Sequence, residues 1–239
     1  MTTTIDETAL AGAAGWHGKL PTLGDFATRR LPPDFVAAWD AWLSEGLAAL
    51  QQRDPDWLDA YLMSPSWRFL LMPGVLPGGL GETPWVGVLM PSVDRVGRYY
   101  PLTLAQPLAA LPSDEAGSEA LWAWLLRLEE AAADAMHDDW TIDALEAELV
   151  RLGAVPRAGA AHGLPSLDAF VGAEVAELSM AGLRHPPALF AARAHAEWAR
   201  GAQGDAYWYA QPDMQSPRLL CSRGLTRSNL IARLLGGQA

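Results

Sequence analysis

The hydrophobic period changes partway along this chain, and that change limits what the chain can fold into. From Pro33 onward, Phe35, Trp39, Trp42, Leu43, Leu47 and Leu50 recur every three or four residues, which lines them along one side of a helix. Pro33 suits the first helical position, and Asp34 places negative charge where the first N–H groups are unpaired. Asp54 and Pro55 end the run, and a short second helix is expected over 56–63. The pattern then becomes short continuous apolar runs at 67–72, 85–90 and 99–105, which read as buried strands. Residues 73–81 form a turn-rich loop with four glycines and two prolines. Only a short loop containing 94–98 separates the last two runs, which are therefore expected to pair as antiparallel neighbours.

Helical spacing returns over 118–136, where Leu121, Trp122, Leu125, Leu128 and Ala132 form a stripe and Ser118 is the candidate cap. It recurs over 141–152, where Ile142, Leu145 and Leu149 face inward behind a Thr141 cap. A Gly/Ala/Pro-rich excursion at 153–165 precedes helices expected at 165–171 and 187–200. Strands at 207–209 and 218–222 and a closing helix over 226–235 complete the pattern. The fold class is α/β: a single unit with a largely antiparallel or mixed central sheet flanked by helices, not a repeated strand–helix–strand array. Residues 1–14 read as a flexible N-terminal tail and 15–239 as the folded domain. On the strand at 207–209, Tyr207 and Tyr209 share one face and Trp208 takes the other. One face then packs a core and the other a helix, unless an aromatic left exposed serves as an interface anchor.

Charge narrows the class of function. The net charge is −11, from 28 acidic and 17 basic side chains, and Lys19 is the single lysine. Such a balance repels nucleic acid and anionic membranes at long range. Residues 113–150 hold eleven acidic side chains against Arg127 alone, which reads either as a solvated helical face or as a docking surface for a basic partner. One cysteine excludes an internal disulfide, and Cys221, on an expected strand, reads as a small buried hydrophobe. No apolar run approaches the roughly 18 residues of a membrane span. Asp6 and Glu7 stand where a secretory signal would be basic, so a cytoplasmic protein is expected.

Two polar segments carry the candidate chemistry. The first runs from Gly18 through Lys19, Gly24 and Asp25 to Arg29 and Arg30. It is not a phosphate-binding loop: Leu20 and Pro21 follow the lysine, Ala13 stands where the first glycine belongs, and Pro21 removes a backbone donor. The second contains Ser92, Asp94, Arg95 and Arg98 between Pro91 and Pro101. Its two guanidiniums could clasp a carboxylate or phosphate on a partner. Alternatively, Asp94 or Asp25 pairs with an arginine and locks the two loops together. None of the five histidines lies in a nucleophile elbow, although Ser92, Asp94 and a distant His17 can be assembled on paper. No dinucleotide fingerprint follows a strand and no metal-ligand spacing occurs, so no cofactor and no metal are expected.

Read together and in order, these segments resemble a known family. The stretches are GWHGKLPTLGDFATRRLP (15–32), DFVAAWDAWL (34–43), SPSWRFLLMPG (64–74) and GVLMPSVDRVGRYYPLTLA (87–105), with GLPSLDAF (163–170) and YWY (207–209) later in the chain. The resemblance is to the TagF (ImpM) family, accessory proteins of bacterial type VI secretion, and it spans about residues 15–235. It implies a longin- or profilin-like α/β domain with added helices and a cytoplasmic post-translational repressor of the secretion machine. The implied partners are type VI secretion components, the forkhead-associated scaffold protein among them. Some relatives carry a fused protein phosphatase domain, for which this chain is expected to lack the length. The family's recurring polar residues transfer to Lys19, Asp25, Arg29, Ser92, Asp94, Arg95 and Arg98.

The leading expectation is therefore a non-enzymatic regulator that works through protein–protein contact. The alternative is a hydrolase acting on a phosphorylated partner through a cleft that unites Asp25, Asp94 and Arg98, which requires those groups within hydrogen-bond reach of one another.

Overall fold

Strands β4 (Trp85–Met90) and β5 (Leu102–Pro107) have no exposed residue. A strand buried on both faces needs pairing partners on both edges and apolar layers above and below. The computed structural model, which describes residues 12–157, 186–212, 216–226 and 229–236, supplies both. One seven-stranded sheet runs in the order β2 (Ala27–Arg29), β1 (Gly15–Gly18), β5, β4, β3 (Trp67–Leu71), β6 (Asp205–Ala210), β7 (Arg218–Arg223). Every pairing is antiparallel. The expected α/β unit is thus observed, with the antiparallel form of the two sheet types anticipated.

On one face lie α1 (Pro33–Arg53), α2 (Trp57–Leu62) and α6 (Asn229–Leu235). The α1 stripe read from the sequence is the buried one, and it brings Phe35, Trp39 and Trp42 against Phe69, Trp85 and Trp208. Ring centroids in this cluster lie 4.6 Å apart for Phe35–Trp85, 5.2 Å for Trp39–Phe69 and 5.6 Å for Trp42–Trp208. Each fully buried aromatic of this kind contributes on the order of 2–3 kcal/mol of transfer free energy. Indole N–H groups tie the layers together. Trp39 donates to Thr103 Oγ1 of β5 at 2.8 Å, and Trp67 donates to the Leu234 carbonyl of α6 at 2.8 Å. Trp208 Nε1 has no hydrogen-bond partner among the described residues, and nothing in its surroundings explains that.

The opposite face carries α3 (Glu115–His137) and α4 (Ile142–Leu152) over β1, β4 and β5. Here the structure corrects three details. The α3 cap is Asp114, whose extended backbone leaves its carboxylate free to accept from Gly117 N at 2.7 Å; Ser118 already lies within the helix. The buried stripe of α3 is rotated to Trp124, Leu125, Leu128, Ala131, Ala132 and Ala135, leaving Leu121 and Trp122 half-buried. Cys221 is exposed, because among the described residues β7 is the sheet edge and nothing covers its outward side. Thr141 caps α4 as expected, accepting from Ala144 N.

Helix α5 (Pro186–Gly201) matches the expected late helix. The expected helix at 165–171, the GLPSLDAF segment, most of the 153–165 excursion and residues 1–11 lie outside the described residues. At the end of the expected tail, Ala14 is buried and the Gly12 carbonyl accepts from Gln106 Nε2. Four residues of the acidic block have specific partners. Asp114 caps α3, Glu129 pairs with Arg68, Glu146 holds Arg30 and the Trp16 indole, and Glu148 holds Arg151.

Gly87, at the centre of β4, permits the closest approach in the sheet. A Cβ there would lie 2.1 Å from the Leu104 carbonyl oxygen and 2.6 Å from the Phe69 ring. Gly24 has nothing within 4 Å of the same position. Gly87→Ala is expected to cost about 2 kcal/mol or more by overpacking, whereas Gly24→Ala stays within about 0.5 kcal/mol of the parent. Urea unfolding followed by far-UV circular dichroism measures both.

Candidate functional site

Strand β1 ends where β5 begins, so the loop after β1 (19–26) and the loop between β4 and β5 (91–101) meet at one end of the sheet. Gly18 makes that meeting possible. Its φ is +139°, and a Cβ would sit 2.3 Å from the Pro101 carbonyl oxygen, so only glycine fits. The chain turns there and carries Lys19 inward. In the second loop Asp94 opens a tight turn: Gly97 N donates to Asp94 O at 3.0 Å, and Asp94 Oδ1 accepts from Val96 N at 3.0 Å. Aspartate in the first position and glycine in the fourth suit such a turn.

Lys19 and Asp94 form a buried ion pair, with Nζ 2.9 Å from Oδ2. Both side chains are essentially covered, at 4% and 0% exposed. The carboxylate accepts from four donors: Val96 N and Arg98 N on Oδ1, and Lys19 Nζ and Arg98 Nε on Oδ2. Burial alone would raise the Asp94 carboxyl. The Arg98 N–H, the Lys19 ammonium, the Arg98 guanidinium and the Val96 N–H outweigh it and hold the group well below the usual carboxylate range. Arg98 also donates to the Gly24 carbonyl, and Arg95 N donates to Leu23 O at 3.0 Å. Ser92 Oγ donates to the Lys19 carbonyl at 2.7 Å. The two loops are locked together.

Tyr61, from α2, completes the lock. Its hydroxyl donates to Ser92 O and accepts from Ser92 N, each at 2.9 Å, and burial pushes the phenol well above its ordinary value. Beside it His17 is buried, with Nδ1 2.7 Å from Thr28 Oγ1 and Nε2 3.8 Å from Asp40 Oδ1. Burial lowers the His17 pKa, against the opposing pull of Asp40, and so favours the neutral imidazole. Tyr100 donates to the same Asp40 oxygen at 2.7 Å. Phe26 stacks on His17 with an interplanar angle of 9° and lies under the Lys19 ammonium, 4.9 Å from Nζ, yet it is 45% exposed. The sequence reading missed Tyr61, Asp40, Tyr100 and Phe26. Their one local signal is the position of Tyr61 on the inner side of a short helix.

Of the seven residues anticipated, Lys19, Ser92, Asp94 and Arg98 converge. The other three stand apart. The Asp25 carboxylate accepts from Phe26 N at 2.8 Å, Arg29 donates to the Thr28 carbonyl at 2.8 Å, and the Arg95 side chain is exposed with no partner among the described residues. Asp25 makes no hydrogen bond with Asp94 or Arg98. The paper triad of Ser92, Asp94 and His17 is not assembled either, since Ser92 and His17 turn to different partners. Among the described residues no group of three or more His, Cys, Asp or Glu side chains could hold a metal ion. No described helix is long and apolar enough to cross a membrane.

Comparison with known proteins agrees with this architecture. Residues 15–152 match the family described as TagF N-terminal domain, type VI secretion system-associated. The crystal structure of PA0076 from Pseudomonas aeruginosa PAO1 is similar over 95% of this chain and 96% of that one, at 32% identity and a TM-score of 0.71. No curated protein sequence matches the chain significantly.

Two outcomes follow from the ion pair. Lys19→Met leaves a covered carboxylate short of its ammonium, so its urea midpoint falls well below that of Arg95→Ala, which is expected to stay near the parent. Equal midpoints would show that the pair does not hold the loops. The second outcome concerns acid. The folded Asp94 carboxyl titrates below the unfolded value of about 4, so its stabilisation is whole above about pH 4 and declines as pH falls toward the folded value. Asp94→Asn removes that part of the acid limb in urea melts taken across this range.

Proposed function

The chain belongs to the TagF family of type VI secretion system-associated proteins, and from that premise we propose that it is a cytoplasmic post-translational repressor acting by direct protein–protein contact. In this reading the polar segments have two layers. Lys19, Ser92, Asp94 and Arg98 hold the loops in shape, and the exposed Asp25, Phe26, Arg95 and Val96 meet the partner. The supporting observation is the contrast within one loop. Asp94 is covered and accepts from four donors, while the adjacent Arg95 and Val96 project, Val96 at 63% exposed. A guanidinium beside an aliphatic group and a half-exposed phenylalanine suits an interface with an acidic or carboxylate-bearing surface. The forkhead-associated scaffold of the secretion system is the proposed partner.

The hydrolase alternative loses its support at the same place. A carboxylate with four donors and almost no accessible surface is poorly placed to take a proton from a substrate, and Asp25 does not join it.

The test is a double substitution, Arg95→Ala with Val96→Ala, in a strain whose secretion the parent protein represses. Loss of repression and of scaffold pull-down, with an unchanged melting temperature, is the expected result. Full repression by the well-folded variant would overturn this surface assignment. Arg98→Ala is less informative alone, because Arg98 also holds Asp94 and Gly24.

A further inference from the structure

The sheet face beneath α3 is not covered out to the β7 edge among the described residues. Between α3, α5 and the outward sides of β3, β6 and β7 lies a groove of about 400 Å³, within the range of small-molecule sites. Its walls include Trp122, Tyr207, Tyr209, Trp198 and Leu219, the last two 43% and 62% exposed at the rim. Arg68 is the one permanently charged side chain among the described lining residues. None of the groove's residues takes part in the Lys19–Asp94 site.

Arg68 is unusual for its place. It points from β3 onto the sheet face beneath α3 and is only 5% exposed. Its guanidinium carbon lies 4.5 Å from the Trp122 ring centroid and 5.1 Å from that of Tyr209, so two aromatic faces hold it. Nε lies 2.9 Å from Glu129 Oε2, but without the alignment of a hydrogen bond, and Nη1 has no acceptor among the described residues. Ser66 Oγ donates to the other Glu129 oxygen and fixes that carboxylate to one side. A guanidinium has five donors in a rigid fork, and buried donors ordinarily find acceptors. This one lines an aromatic-walled groove large enough for a small molecule, while its enclosed Nε and Nη1 have no aligned acceptor among the described residues.

We infer that the groove is a binding site for a small organic acid with an apolar body, its carboxylate paired with Arg68 and its hydrocarbon laid along Trp122, Tyr209 and Leu219. Charge-assisted pairing supplies the preference for an acid, and the aromatic walls strengthen it by excluding water. The protein's net charge of −11 does not draw anions from a distance, so recognition rests on these short-range contacts.

Isothermal titration of the full chain with decanoate and with decanol tests the inference. Decanoate is expected to bind saturably, about tenfold or more tighter than decanol. Arg68→Met should abolish that preference, and Glu129→Gln, which removes the competing carboxylate, should tighten decanoate. Leu219→Trp, at the exposed rim, should weaken both ligands by partly filling the groove. No saturable binding of decanoate, equal affinity for decanol, or an unchanged affinity in Leu219→Trp would each overturn the assignment. Should Arg68→Met fail to fold, the acid–alcohol comparison and the other two variants decide it.

Discussion

Two adjacent strands, β4 and β5, are buried along their whole length, and the rest of the architecture meets the requirements this sets. Their backbone groups pair with β3 and β1 on either side, and their side chains need an apolar layer on each face. The α1 tryptophans provide one layer and α3 with α4 the other. Apolar burial alone would leave sliding room between layers. Indole donors restrict it, because each has one direction and needs one acceptor: Trp39 to Thr103, Trp67 to Leu234, Trp124 to the Gly153 carbonyl.

The same sheet positions the loops. Since β1, β4 and β5 are neighbours, the loop after β1 and the loop joining β4 to β5 open at one end, and a glycine too tightly packed to carry a side chain brings them into contact. A buried lysine–aspartate pair would be a weak stabiliser if its remaining lone pairs were empty. Here the remaining acceptor sites are filled by the turn's own N–H groups and by Arg98, so the pair specifies one loop geometry. Removing either ion costs more than the pair's net contribution, since the other ion stays covered. Charged residues one position apart therefore have opposite fates: Asp94 is covered within the loop and Arg95 lies at the surface.

How much was legible varied with how local the deciding physics is. The α1 stripe, the Thr141 cap and the strands expected at 67–72 and 85–90 follow from period and capping chemistry within a few residues, and the structure has them, the first strand ending one residue earlier at Leu71. The α3 stripe was misread because Trp122 and Trp124 both fit an apolar pattern, and choosing between them depends on where the sheet ends. Trp124 lies over the centre of the sheet and Trp122 over the groove. Cys221 was misread for the same reason: a strand's burial depends on whether another element covers its outer side, and β7 is an edge.

By itself, the sequence determined the α1, α3, α4 and α5 helices, the antiparallel pairing of β4 with β5, and the two polar segments that mark the family, because period, turn residues and motif order are properties of neighbours along the chain. It also left open whether Asp94 pairs with an arginine as a lock or waits for a partner. Only the tertiary structure decided that, by bringing Lys19 across 75 positions of sequence to the same oxygen as Arg98. It alone brought Tyr61, His17, Asp40 and Phe26 around the pair, and it alone left Arg68 with a spare donor beneath Trp122. Burial and the completeness of hydrogen bonding are set by what arrives from distant segments, and no local pattern encodes them.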